Sequence, residues 1–421
     1  MSRNPYPNPN DPGYEEEQAA EASRQRRLRI GVGALVLVVI AALGAWFVVD
    51  GGSNNTGNTK HAAAPVPKEP GRLISAEPYT QGIPGFVQAW KILYTTTRDK
   101  GVPAVASALV MVAHDHPAGP RPVIAWAHGT TGIAEKCAPT GDEDPVALAS
   151  IPDFTQAIDA GWAIVATDYT GLGTPGPHPY LVGQGEGRSV LDSVRAAHEL
   201  TDLQLQDKTI VWGHSQGGGA ALWAGILAPT YAPDAHVIAV AGIAPADDLP
   251  GLVNNISTLA GGQVFAAYLI KAYSEIYPDV KFDSYVKAAD QASVTQIAGS
   301  CIAEKAILAS LSQTVGVTSS IYARDPLSGP LGKRLRQNVP TGSITVPLLI
   351  AQGLSDNLVL PNVQAAYVAK RCADPANGPL DYETYAGRGH TDIIVPGSGM
   401  LPRLLAWTVA RFAGTTAPST C

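Results

Sequence analysis

The sequence predicts an α/β fold: a mostly parallel sheet with helices on both faces and a helical insertion late in the chain. Three observations lead there. Short apolar, β-branched runs alternate with segments of helical period along most of the chain. One run ends in Gly213-His214-Ser215-Gln216-Gly217, a G-x-S-x-G pentapeptide lying between a strand and a helix. The stretch from Ala244 to Val346 separates two later strands by far more than an ordinary loop.

Residues 86–97 and 105–112 read as antiparallel opening strands, followed by strands at 123–127, 162–167, 209–212, 237–243, 347–351 and 382–385. Helices are expected at 153–160 and 186–200, the second with Val190, Leu191, Val194 and Ala197 at helical spacing. Within the insertion, 252–259, 264–273, 282–289 and 303–311 look helical, so residues 247–342 read as a cap between core segments 73–246 and 343–421.

Ahead of the core lies an address. Residues 1–29 are rich in Pro, Asn and Glu and read as a disordered tail. Arg24, Arg26, Arg27 and Arg29 then precede an uncharged apolar run, 30–49, of bilayer-spanning length. The basic flank keeps the tail cytoplasmic, so the expectation is a signal anchor with an extracytoplasmic domain, the alternative being secretion after cleavage. Residues 50–72 form a linker.

A hydrophobic fraction of 45% and a charged fraction of 15% exclude a disordered chain. The net charge of -7, without a basic patch in the soluble part, argues against a nucleic-acid partner. Without a P-loop or dinucleotide fingerprint, no cofactor is expected. The four cysteines, Cys137, Cys301, Cys372 and Cys421, lie beyond the anchor. They lack zinc-type spacing and fit disulfides in an oxidising compartment. Three pairings are possible. Cys137 with Cys301 would tie the loop near residue 130 to the insertion, and Cys372 with Cys421 would fasten the C-terminal segment.

The pentapeptide has the form of a nucleophile elbow. Its turn holds the serine in a strained conformation, leaves no room for side chains two residues away on either side, and heads a helix whose N–H groups favour an anion. Ser215 is the expected nucleophile. The chain order serine, acid, histidine then selects Asp356, on the loop after strand 347–351, and His390, in a glycine-flanked loop after strand 382–385. Asp381 and Asp392 are weaker substitutes, and Asp168 precedes the serine and is expected to be structural. His128-Gly129-Thr130 follows strand 123–127, so the N–H groups of Thr130 and Gln216 are the expected oxyanion donors.

The combination of Ala125-Trp126-Ala127-His128-Gly129-Thr130-Thr131-Gly132, Cys137-Ala138-Pro139, Asp168-Tyr169-Thr170-Gly171-Leu172-Gly173-Thr174-Pro175 and Gly213-His214-Ser215-Gln216-Gly217-Gly218 resembles the secretory-lipase family of α/β-hydrolases, the fungal lipase A type. The resemblance runs over about residues 75–415. It implies a carboxylic-ester hydrolase acting on ester or lipid substrates, with Ser215, Asp356 and His390 as triad under a mostly helical cap. The family's fungal members carry an acidic residue in the oxyanion loop, where this chain has threonines. An acyltransferase using the same triad, or a non-catalytic binding module of this fold, are the alternatives.

Overall fold

Strands β1 (Leu73–Tyr79), β2 (Val87–Thr97) and β3 (Pro103–Ala113) open the chain, followed by β4 (Arg121–Ala127), β5 (Ala163–Thr167), β6 (Leu205–His214), β7 (Val237–Ile243), β8 (Leu348–Gly353) and β9 (Leu380–Tyr385). In this computed structural model, which describes residues 69–115, 119–259, 261–302 and 320–421, they form one sheet in the order β1-β2-β3-β5-β4-β6-β7-β8-β9. The pairs from β1 to β5 are antiparallel, and every pair from β5 to β9 is parallel. The expected tail, anchor and most of the linker lie outside the described residues. Among those described, no helix is long and apolar enough to cross a membrane.

Before β7 come helices α1 (Pro145–Ala149), α2 (Phe154–Asp159), α3 (Gly183–His198) and α4 (Gln216–Tyr231). Between β7 and β8 come α5 (Leu249–Ile256), α6 (Gly262–Ile276), α7 (Phe282–Tyr285), α8 (Gln291–Ala298) and α9 (Gly329–Gln337). After β8 follow α10 (Pro361–Cys372) and α11 (Met400–Phe412).

The central strands are apolar throughout because helices cover both faces, and the two-residue strand period divides their side chains between two cores. Val123, Ala125 and Ala127 of β4 pack with Val190, Leu191 and Val194 of α3 and Ala220 and Ala221 of α4. Ile124 and Trp126 point the other way, into a core with Ile158 of α2 and Leu404 and Trp407 of α11. A third apolar cluster, built from α5, α6 and α9, reaches Tyr180, Leu181 and Val182 ahead of α3.

Two departures from the sequence reading have local causes. The helix expected at 282–289 stops after Tyr285, because Val286 adopts an extended conformation and forms a β-bridge with Tyr322. β1 escaped the reading because it is an edge strand whose side chains are all exposed or half-buried, so it lacks an apolar face. The helix expected at 303–311 lies outside the described residues.

Both disulfides take the pairings weighed above: Cys137–Cys301 spans 164 residues and Cys372–Cys421 spans 49. Beside the second, the Thr420 N–H donates to Leu380 O at 2.8 Å and its hydroxyl accepts from the Tyr382 N–H at 2.9 Å, along β9.

Candidate active site

The local sequence of the elbow dictates its shape. Ser215 sits at φ 57°, ψ −121°, a conformation that L-residues avoid. A Cβ on Gly213 would run into the carbonyl of Gly217, and one on Gly217 into the carbonyl of Ala127 at the end of β4. Glycine at both places lets β6 turn directly into α4, leaving the Ser215 hydroxyl above the C-terminal edge of the parallel strands.

His390 reaches that hydroxyl, its Nε2 lying 2.8 Å from Ser215 Oγ. The other ring nitrogen, Nδ1, donates to Asp356 Oδ2 at 2.8 Å. Asp356 is buried in the loop after β8, where its Oδ1 accepts the N–H groups of Leu358 and Val359 at 2.8 and 2.9 Å. Burial pushes this carboxyl's pKa upward, but His390 and the two N–H groups outweigh it and hold Asp356 below its usual range.

The substitutes for the acid are engaged elsewhere. Asp381 is paired with Arg403 at 2.8 Å, and Asp392 caps the N–H of Gly389. Asp168 is fully buried and accepts from Ser107 Oγ, Thr140 N and Thr140 Oγ1, joining β3 and the loop after β4 to the end of β5. Desolvation raises it to about 6, against those donors.

Gly129, Thr130, His214, Ser215 and His390 share one cavity of about 430 Å³ with Phe265 of α6, Ile302 and Val395. A narrower apolar slot continues from Thr130, Ser215 and Gln216 between Leu252 and Ile256 of α5, Phe265 and Leu269 of α6, and Leu358. The helices between β7 and β8 therefore line the space beside the serine. A separate groove of about 320 Å³ around Tyr367 and Arg371 contains none of these residues.

Sequence reasoning missed the buried polar groups behind the elbow: His178, Tyr180, Glu186 and the side chain of Gln216. Glu186 carried a readable signal. It lies four residues before Val190 and eight before Val194, on the apolar stripe of α3, where an acid is out of place.

Fold and site together define a serine hydrolase of the α/β-hydrolase class. Residues 152–420, more than half of the chain, match the secretory lipase family, and the chain belongs to it. It is a carboxylic-ester hydrolase. Lipase 4 of Candida albicans is 26% identical over 361 residues, which cover 79% of this chain and 74% of that protein. Lipase 6 of the same organism is 27% identical over 63% of this chain, and the alignment spans 58% of that relative's length. Among solved structures, Candida antarctica lipase A shares the fold with a TM-score of 0.70 at 21% identity, covering 84% of each chain. A rice cell wall degrading esterase from Xanthomonas oryzae shares it with a TM-score of 0.65 at 19% identity, covering 82% of this chain and 98% of that one.

Proposed function

We propose that the protein hydrolyses lipid-type carboxylic esters outside the cytoplasmic membrane through an acyl-enzyme on Ser215. The observation that carries this reading is the unbroken line from Ser215 Oγ to His390 Nε2 and from His390 Nδ1 to Asp356 Oδ2, each step 2.8 Å. His390 takes the serine proton as Oγ attacks the ester carbonyl, and Asp356 orients the imidazole and stabilises its charged form. The N–H groups of Gln216, at the head of α4, and of Thr130 hold the oxyanion. His390 returns the proton to the departing alkoxide, and water, activated by the same imidazole, then releases the acid.

In this reading residues 247–342 act as a cap whose apolar side chains receive the hydrocarbon part of the substrate, as Phe265 and Leu252 beside Ser215 suit. Relatives named secreted triacylglycerol lipases, such as one from Malassezia globosa, support both the lipid class and the location. The run 30–49 has the length and basic flank of an anchor, the alternative being secretion after cleavage, which the secreted relatives favour; the disulfides suit the oxidising side in either case.

The test is Ser215→Ala assayed on p-nitrophenyl esters of increasing acyl length, with fluorophosphonate labelling of the native protein. Hydrolysis disappears in the variant and the label maps to Ser215; turnover by the purified variant, or a label elsewhere, rejects the reading.

A further inference from the structure

The side chain of Gln216, the residue after the nucleophile, is buried behind the elbow. Its Nε2 lies 2.7 Å from Glu186 Oε1 and 3.1 Å from His178 Nε2, so each amide hydrogen has one acceptor. His178 fits the acceptor role because its Nδ1 lies 3.1 Å from the Thr170 carbonyl, to which only an N–H can donate. Desolvation takes His178 down to about 3 and keeps the ring neutral. Glu186 Oε1 also accepts the N–H of Leu181 at 3.0 Å. Next to Leu181, the Tyr180 hydroxyl bonds Thr130 Oγ1 at 3.0 Å. One short segment, 178–186, thus grips both residues to which the proposed mechanism assigns the oxyanion.

Packing alone gives no reason for an acid here. Glu186 is 1% exposed on an apolar stripe, and burial raises its carboxyl to about 8. A hydrocarbon in the same place would avoid that desolvation. The acid is accounted for by what it holds.

We infer that Glu186 is a positioning residue for the oxyanion hole, fixing the aim of the Gln216 N–H through the Gln216 side chain and that of the Thr130 N–H through Leu181 and Tyr180. The inference rests on the proposed acyl-enzyme mechanism. Glu186 touches no reacting atom. Its effect belongs to the transition state, when the carbonyl oxygen becomes an anion and donor aim matters most.

The test compares Glu186→Leu and Glu186→Gln in the purified full-length protein, with p-nitrophenyl butyrate as substrate and a trifluoromethyl ketone as transition-state analogue. Glu186→Leu lowers kcat by on the order of tenfold to hundredfold, as misaligned donors do. KM stays within about twofold, because ground-state binding does not use these N–H groups, and ketone affinity falls in parallel with kcat. Glu186→Gln restores most of kcat, since its carbonyl oxygen can accept the same two N–H groups. If Glu186→Leu does not fold, Gln216→Leu cuts the same link from the other end and must give the same split. A wild-type kcat in the Leu variant, a loss of kcat without loss of ketone affinity, or a folded Gln variant no better than Leu overturns the inference. Ser215→Ala runs alongside: activity surviving there rejects the mechanism itself, whereas an inactive Ser215→Ala beside a fully active Glu186→Leu rejects only the positioning role.

Discussion

The Nε2–H of His214 donates to the backbone carbonyl of His390 at 2.9 Å, so the residue just before the nucleophile holds the main chain of the residue that serves it. The two rings lie 4.9 Å apart. Burial first, and the neighbouring His390 second, bring His214 down to about 3, so it remains a neutral donor across the working range of an esterase. Replacing it by Phe keeps the bulk and removes the donor. His214→Phe should lower kcat by about fivefold to tenfold, one hydrogen bond's worth, with the melting temperature nearly unchanged. An unaltered kcat would show that His390 is held by its other contacts alone.

Asp356→Asn should leave a folded protein and cost several orders of magnitude in kcat. In the serine-protease case the corresponding loss is about 10⁴. The amide can hold the Leu358 and Val359 N–H groups but cannot stabilise an imidazolium. Asp381→Asn, which removes the charge that pairs with Arg403 and does not touch the triad, should cost little activity. A reversed ranking, with circular dichroism native in both variants, would move the acid to Asp381.

Stability should fall as pH rises from about 6.5 to 8. Glu186 titrates near 8 in the fold and near 4.5 in the unfolded chain, so across that interval the unfolded chain has released a proton that the fold retains. Each pH unit of such a mismatch costs about 1.4 kcal/mol, giving about 2 kcal/mol over this window. Asp247, also raised by burial, adds in the same direction. The buried neutral histidines act below about 6.5, where the unfolded chain gains protons that His128, at about 4, and His178 and His214, at about 3, refuse. Thermal melts at pH 6.5, 7.25 and 8 should show a shallower decline in Glu186→Gln than in the wild type; parallel slopes would mean that Glu186 does not titrate there.

The two disulfides should separate in their effects. Cys137–Cys301 lies beside the active site: Gly132 packs on Cys137, and the N–H of Ile302, a cavity residue, donates to Thr131 O at 2.9 Å. Replacing both members of this pair by Ser should reduce stability by about 2–5 kcal/mol and also raise KM. The same change at Cys372 and Cys421 should alter stability alone. Equal KM values in the two double variants would contradict the proposed coupling of the first bridge to the substrate cavity.

Exchanging roughly residues 1–60 for a cleavable export signal should release an active enzyme into the medium, because the triad and its surroundings all lie beyond that point. Activity that stays with washed membranes after this exchange would place the attachment outside residues 30–49.

What the sequence disclosed depended on how local the physics was. Gly213, Ser215 and Gly217 fall in five consecutive residues whose turn admits almost no other pattern, so the nucleophile was legible outright. Asp356 and His390 were legible through chain order and through their places after β8, a fully buried apolar run, and after β9, a run marked by tyrosines and a threonine. Glu186 showed itself only as an acid out of place on the apolar stripe of α3, and His178 not at all, because what they hold, the Gln216 side chain on α4, comes from packing that no spacing within one helix displays. Val286 was misplaced for a related reason: its bridge partner, Tyr322, lies across the insertion, and pairing overrode helical period.

The segment around Thr420 bears on what the molecule does in company. A terminal strand such as β9 offers a neighbouring chain a row of free peptide groups, the usual starting point for open-ended association. Here the Leu380 carbonyl and the Tyr382 N–H already have Thr420 as partner, and Cys421 is locked to Cys372 so that the cover cannot drift away. The first residues of this flank are thus closed to strangers, and reduction of a single bond would free the segment that covers them.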